Sequence, residues 1–389
     1  MRIDYSKYWD RVKFWKDVVE NKDAFLGSSP PAVFVGSSFY PRVNIGVLSP
    51  PSVEANAGIL DDPEGWYARR SSLSDILDYR SRMIFSRSKV SDVAKPDESS
   101  KVLDAMQQLA ISSKSLDVEI KLSKKPSFAF EFDQRASPIG NPAPVEKIRV
   151  IDNAVVSRTV DSVVSDTDLK TEDALRYLRG NVPIYNISKI LSVGLLGVKE
   201  QRRIVPTRWS ITAVDSNMGN LILEEVKDYD EIDKPTLFQN EYLYNDYQVL
   251  LLPREYQYEL IEIDLTEPES APKIGSDSES YFGRKSYAEE TAGGFYAARV
   301  SVLEGLSRMR RQATVVIVRE VKPQYNVPVG VWEVRETVKG AFSKTPRTFE
   351  TEEEAFSAIS KHAITRDLWK TKSALYHSLK EQLQIEQFF

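Results

Sequence analysis

Any chemistry in this chain must come from arginines, carboxylates and hydroxyls, because its 389 residues include no cysteine and two histidines, His362 and His377. Disulfides, thiolate nucleophiles and cysteine-based zinc or iron–sulfur sites are therefore excluded. A Ser-His-Asp arrangement could draw on one histidine, but both fall in a helical pattern where a solvated position is the simpler reading. The densest polar stretch is RRIVPTRWSITAVDSNMGN, residues 202–220, in which Arg202, Arg203 and Arg208 flank Val205-Pro206. Alternation along RWSITAVD reads as a strand with Arg208, Ser210, Thr212 and Val214 on one face. Trp209, Ile211, Ala213 and Asp215 then share the other. With Thr207 at its start, the polar face suits either an anion-binding groove or the solvated side of an edge strand.

A second polar group opens at Gly293 and Gly294, which stand just before a helix carrying Arg299 and Glu304 and ending on Arg310 and Arg311. Glycines at a helix start let an anion approach free backbone N–H groups, while arginines at its end also satisfy the helix dipole without any ligand. A third group places Arg319-Glu320 and Arg335-Glu336 on either side of a Pro- and Gly-containing turn with Trp332. Such pairs can shape a polar pocket or staple two strands. Asp166 and Asp168 stand at alternate positions after a β-branched run, so both could face one divalent ion, or Asp168 could cap the next helix. Together these groups suggest a pocket of arginines and acids suited to a phosphate-bearing ligand.

The elements that must position these residues alternate between strand and helix. Residues 1–25 read as an amphipathic helix, and GSSPPAVFVGSSFYPRVNIGVLSPP (27–51) as short strands cut by Pro and Gly. Helical spacing follows at 71–86 with Ser72 or Ser74 as the cap, then a polar loop at 86–100, a helix at 101–112 and a strand at 117–122. KIRVIDN and VSRTVDSVVSD read as strands, and 171–178 as a helix closed by Gly180. Strands at 247–265, a loop at 266–280, a helix at 295–311, a strand at 314–321 and helical spacing from Glu350 onward complete the pattern. The fold class expected is α/β or α+β, a mixed sheet core flanked by helices. The regions drawn from this pattern are 1–125 (helical and β-loop), 126–345 (core) and 346–389 (a helix and a short motif tail).

Apolar residues at 41% and charged residues at 28% fit a well-solvated folded chain, and the net charge of −5 offers no global basic field for nucleic acid. No apolar run approaches the roughly 20 residues that span a bilayer, and the first residues are unlike a secretory signal, so a cytoplasmic protein is expected. The last residues, QLQIEQFF, are apolar and patterned, which suggests docking on the protein's own body or on a partner.

The blocks SSPPAVFVGSSFYPRVNIGVLSPP (28–51), VPTRWSITAVD (205–215), GGFYAARVSVLEGLSRMRRQATVVIVRE (293–320) and YNVPVGVWEVRE (325–336) together resemble the archaeal Nre family of DNA repair proteins. The resemblance implies a role in the DNA damage response and association with the sliding clamp (PCNA) through a C-terminal motif. Many members also carry a four-cysteine, zinc-finger-like element, which a chain without cysteine cannot form. The clamp-binding pattern is Gln, two free residues, an aliphatic residue, two free residues and two aromatics, matched by Gln382, Ile385, Phe388 and Phe389. One tight turn would point Ile385, Phe388 and Phe389 the same way, as a plug for an apolar pocket, with the Gln382 amide in a polar side pocket. The reading is a clamp-recruited repair factor whose arginine- and acid-lined pocket takes a phosphate-bearing ligand or nucleic acid. The alternatives are a nucleotide- or phosphodiester-processing enzyme, helped by a divalent ion, that the motif only targets, and a non-catalytic scaffold.

Overall fold

The computed structural model describes residues 9–93, 100–267, 269–362 and 365–386. They divide into two units, the first formed by residues up to Met218 with Val327–Gly330, the second by Gly219–Asn326 with Val331 onward. The fold class is α+β, as the alternation of patterns implies.

In the first unit, helix α1 (Trp9–Glu20) leads into strands β1 (Ala24–Ser29), β2 (Val33–Val35) and β3 (Val43–Ser49). Helix α2 (Pro63–Ala68) begins where Asp62 accepts from the Gly65 N–H at 3.0 Å, with proline at the first helical position where its missing N–H costs nothing. Helix α3 (Leu73–Ser81) starts on a reciprocal cap: Ser72 Oγ accepts from Asp75 N at 3.2 Å, and Asp75 accepts from Ser72 N at 2.9 Å. Then come β4 (Ile84–Val90), α4 (Lys101–Ile111), β5 (Leu116–Leu122), β6 (Phe130–Glu131), β7 (Ile139–Gly140) and β8 (Pro142–Val150). Helices α5 (Arg158–Ser165), α6 (Thr171–Leu178) and α7 (Ile184–Ser192) follow, and α8 (Thr207–Val226) runs on into the second unit's residues. The strand order is β1-β5-β8-β4-β3-β2, antiparallel except for the parallel β4–β8 pair. Glycine is required in β3, because a Cβ on Gly46 would stand 2.2 Å from the Ser86 carbonyl oxygen.

The second unit adds β9 (Thr236–Tyr242), β10 (Asn245–Leu252), β11 (Gln257–Asp264), β12 (Lys273–Glu279), α9 (Ala292–Met309) and β13 (Thr314–Val321). Helix α10 (Trp332–Ala341), β14 (Arg347–Thr348), α11 (Glu352–His362) and α12 (Ala374–Glu386) complete it. Its order is β12-β11-β13-β10-β9-β14, with β11 and β13 the parallel pair that a helical crossover requires. Strands β10 and β13 are buried along almost their whole length because both faces are covered, and each carries a continuous apolar run, Val249–Leu252 and Val315–Val318. One face packs Leu250, Ile261, Val316 and Val318 against Phe356, Ile359, Trp369 and Leu379.

Several local expectations are corrected. RWSITAVD is the start of helix α8, since Pro206 accepts from the N–H groups of Trp209 and Ser210, and burial recurs at Val214, Met218, Leu221, Ile222 and Val226. VSRTVDSVVSD becomes α5, initiated by Ser157 Oγ accepting from Val160 N at 3.3 Å. The polar stretches expected as loops supply β4, which pairs with β3 and β8, and β12, which pairs with β11. Of the two Arg-Glu pairs left open between a pocket and a staple of two strands, Arg319-Glu320 lies on β13 and Arg335-Glu336 on α10.

Candidate functional site

Beneath the start of α8, within the first unit, lies a cavity of about 80 Å³. Its walls are apolar, from Val33, Phe34, Leu48, Ile139 and Ile211, continuous with the core that packs Leu60, Met83 and Phe85. Three charged side chains interrupt that wall: Asp61, Arg80 and Lys189. Arg80 Nη1 donates to Asp61 Oδ1 at 2.6 Å, and Lys189 Nζ pairs with Asp61 Oδ2 at 2.7 Å. Arg80 is 2% exposed and is further held by Nε donating to the Pro138 carbonyl at 2.7 Å and Nη1 to the Leu60 carbonyl at 3.2 Å. Burial works to raise the Asp61 pKa, but Lys189 and then Arg80 outweigh it and hold the carboxyl below the usual carboxylate range. The cluster therefore carries two cations against one carboxylate.

Thr207, a sequence candidate, lines the cavity, and its Oγ1 accepts from Val35 N at 2.9 Å. The next residue, Arg208, lies about a third exposed with Nη1 3.4 Å from Asp133. Trp209 follows, 42% exposed, with its ring centroid 4.9 Å from that of Tyr40, itself 47% exposed. Phe39, next to Tyr40 in the β2–β3 connection, is 88% exposed and held at φ +66°, where a bulky side chain is rare. Arg42, on the same connection, is exposed. The edge thus presents aromatic faces beside guanidinium groups, the combination on which unpaired bases stack and phosphates are neutralised.

The remaining pocket candidates lie in the second unit, apart from Asp215, which is buried on α8. There, arginines and acids are brought together mainly with one another. Arg299 Nε donates to Glu279 Oε1 at 2.5 Å, and the Tyr256 hydroxyl donates to the same oxygen at 2.7 Å. Arg319 donates to Glu262 at 2.6 Å, to Glu333 at 3.2 Å and to Asn245 Oδ1. Glu320 points the other way and accepts from Thr365 N and Oγ1. Arg335 and Glu336 are buried on α10, Glu304 is half-buried on α9, and Arg311 follows its end. Ahead of Gly293 and Gly294, the anion is the protein's own: Asp277 accepts from Thr291 N at 2.7 Å, Thr291 Oγ1 at 3.0 Å and Arg284 at 2.7 Å. A Cβ on Gly294 would stand 2.8 Å from Glu262 Oε1, so this glycine makes room for a side chain of the network.

Asp166 and Asp168 lie on an exposed turn after α5, where Asp166 Oδ1 accepts from the N–H groups of Asp168 and Leu169. The Asp166 carboxylate shapes its own turn, and the residue that starts α6 is Lys170 rather than Asp168. Among the described residues no three His, Cys, Asp or Glu side chains are grouped to hold a metal ion. Phe388 and Phe389 lie outside the described residues; Gln382 and Ile385 fall within α12, but their side chains lie outside them.

Asp61, Arg80 and Lys189 escaped the reading from sequence, yet Arg80 left a signal. It continues the apolar stripe Leu73, Ile76, Leu77 of α3 at helical spacing, and an arginine on such a stripe needs a buried partner. Lys189 likewise stands between the buried Ile187 and Ile190 of α7.

Comparison with known proteins agrees with the blocks that carry the resemblance. The family description "Archaeal Nre, N-terminal" matches residues 5–269, and "Archaeal Nre, C-terminal" matches residues 279–388. "DNA repair protein NreA" of Haloferax volcanii is 35% identical over 367 residues, 91% of this chain and 87% of the relative. "DNA repair protein NreA" and "DNA repair protein NreB" of Archaeoglobus fulgidus are 36% and 38% identical, over 93% and 90% of this chain and 90% and 88% of the relatives. No solved structure matches significantly. No helix among the described residues is long and apolar enough to cross a membrane. With both halves matched in order and relatives aligned along most of their length, the chain belongs to the archaeal Nre family.

Proposed function

We propose that this protein is a DNA repair factor delivered to the sliding clamp by Gln382, Ile385, Phe388 and Phe389, and that its first unit contacts nucleic acid along the Phe39–Tyr40–Trp209 edge. The repair role is carried by family membership, since relatives named DNA repair proteins align with 87–90% of their own length. The clamp assignment is supported by the complete motif at 382–389, whose two aromatics are the kind of anchor that dominates small interfaces. Nucleic-acid contact is supported by exposed rings beside Arg42 and Arg208 in a chain of net charge −5, where attraction must be local.

The second unit is better read as a scaffold than as a phosphate pocket, because Arg299 is paired with the buried Glu279, and Arg319 with Glu262 and the buried Glu333, all of the same unit. Titration of the full chain with the sliding clamp tests the delivery step. The native chain should bind with an affinity of micromolar order, and Phe388→Ala/Phe389→Ala should weaken it about 100-fold or more. Equal affinity for the two would overturn the assignment.

A further inference from the structure

The cavity under α8 is unusual in having an apolar wall that ends on spare hydrogen-bond donors. Arg80 Nη2 has no partner among the described residues, although Nε and Nη1 are fully used. Lys189 Nζ has three N–H groups and pairs with the one carboxylate of Asp61. Asp61 receives one donor on each oxygen, which leaves lone pairs free on both. The head of the cavity thus offers donors beside an acceptor, all from side chains fixed by burial and pairing. At about 80 Å³, the space is several times the roughly 10–15 Å³ that admits one water, so it suits a single ring and not a whole nucleotide.

We propose that this cavity receives one unstacked, pyrimidine-sized base that presents a carbonyl next to a ring N–H, as uracil and thymine do. The carbonyl oxygen would accept from Arg80 and Lys189, and the ring N–H would donate to Asp61. Phe34, Leu48 and Ile211 would cover the ring faces, which is how bases taken out of a stack are held. Cytosine shows an amino group where this site offers donors, so it is rejected by unpaired donors facing each other. A phosphate group is a poorer occupant, because most of the wall is apolar and the cluster's excess is one positive charge. Trp209, exposed on the same first turns of α8 as the wall residues Thr207 and Ile211, would stack a neighbouring base of the strand. The inference rests on the reading that the first unit contacts nucleic acid.

Saturation-transfer NMR on the full chain, with deoxyuridine, deoxycytidine and inorganic phosphate as separate probes, tests it. Deoxyuridine should give a saturable signal centred on its base protons, and deoxycytidine should bind at least tenfold more weakly. Ile211→Trp, which fills the cavity from a half-buried wall and leaves the charged cluster intact, should abolish the deoxyuridine signal. Lys189→Met should weaken it at least tenfold, with thermal unfolding checked because Asp61 loses a partner. Equal binding of the two nucleosides, a signal that survives Ile211→Trp, or displacement of deoxyuridine by inorganic phosphate would overturn the proposal. Single-stranded DNA affinity measured on the same samples separates the two readings. Loss of DNA binding in Trp209→Ala and retained deoxyuridine specificity support both; DNA binding without nucleoside binding removes the cavity and leaves the edge.

Discussion

Glu333 is fully buried on α10, accepting from Tyr247 at 3.0 Å, Thr337 at 3.0 Å and Arg319 at 3.2 Å. Burial raises its pKa from 4.5 to about 7, against the opposing pull of Arg319. The folded state therefore binds the extra proton between those values, so this group's contribution to stability is full below pH 4.5 and is lost as pH rises towards 7. The loss should be on the order of 3 kcal/mol at most. Glu333→Gln should flatten the pH dependence of the urea midpoint between pH 5 and 8, and an unchanged slope would contradict the assignment. Asp61 has the opposite sign: its carboxyl is held low, so its contribution is present above pH 3.8 and is lost as pH falls. Asp61→Asn leaves Arg80 buried without its counter-charge and should cost about 3–5 kcal/mol in denaturant unfolding. Of these residues, Arg319 was legible from its sequence context, but which acids it would meet was not, because Glu262 and Glu333 come from separate elements.

At the scale of elements, the helix α8 shows where local pattern fails. Eight residues of alternation fit a strand as well as a helix, and only the wider window, with burial from Val214 to Val226, distinguishes them. Strands β4 and β12 were hidden by polar composition, since their partners across the sheet, and not their own hydrophobicity, make them strands. The terminal caps were the readable part: Ser72 caps α3 as expected, and Gly180 follows α6 at φ +75°. Close strand contact gives a sharp test in β3. Gly46→Ala forces its Cβ onto the Ser86 carbonyl and should destabilise by roughly 2 kcal/mol or more by denaturant unfolding. On the edge, Trp209→Ala should weaken single-stranded DNA binding by about tenfold in fluorescence anisotropy, consistent with one stacked base lost, and leave the chain folded because the residue is 42% exposed.

For the whole molecule, the α+β class and the family were legible because long apolar strands and specific blocks such as VPTRWSITAVD survive as sequence patterns. The grouping of site residues was less so. Candidates adjacent in the reading separate into Thr207 and Arg208 in the first unit and the arginine–acid network of the second. Long-range pairing decides that division, and periodicity along the chain does not record it. On the proposed function, clamp delivery and nucleic-acid contact are separable properties of one chain. The most direct measurement is a crossed binding experiment, in which native chain, Phe388→Ala/Phe389→Ala and Phe39→Ala/Trp209→Ala are each titrated with the sliding clamp and with single-stranded DNA at one fixed salt concentration. The first variant should lose the clamp by about 100-fold and keep DNA, and the second should lose DNA and keep the clamp. Undiminished clamp binding in the Phe388/Phe389 variant would contradict the proposed function.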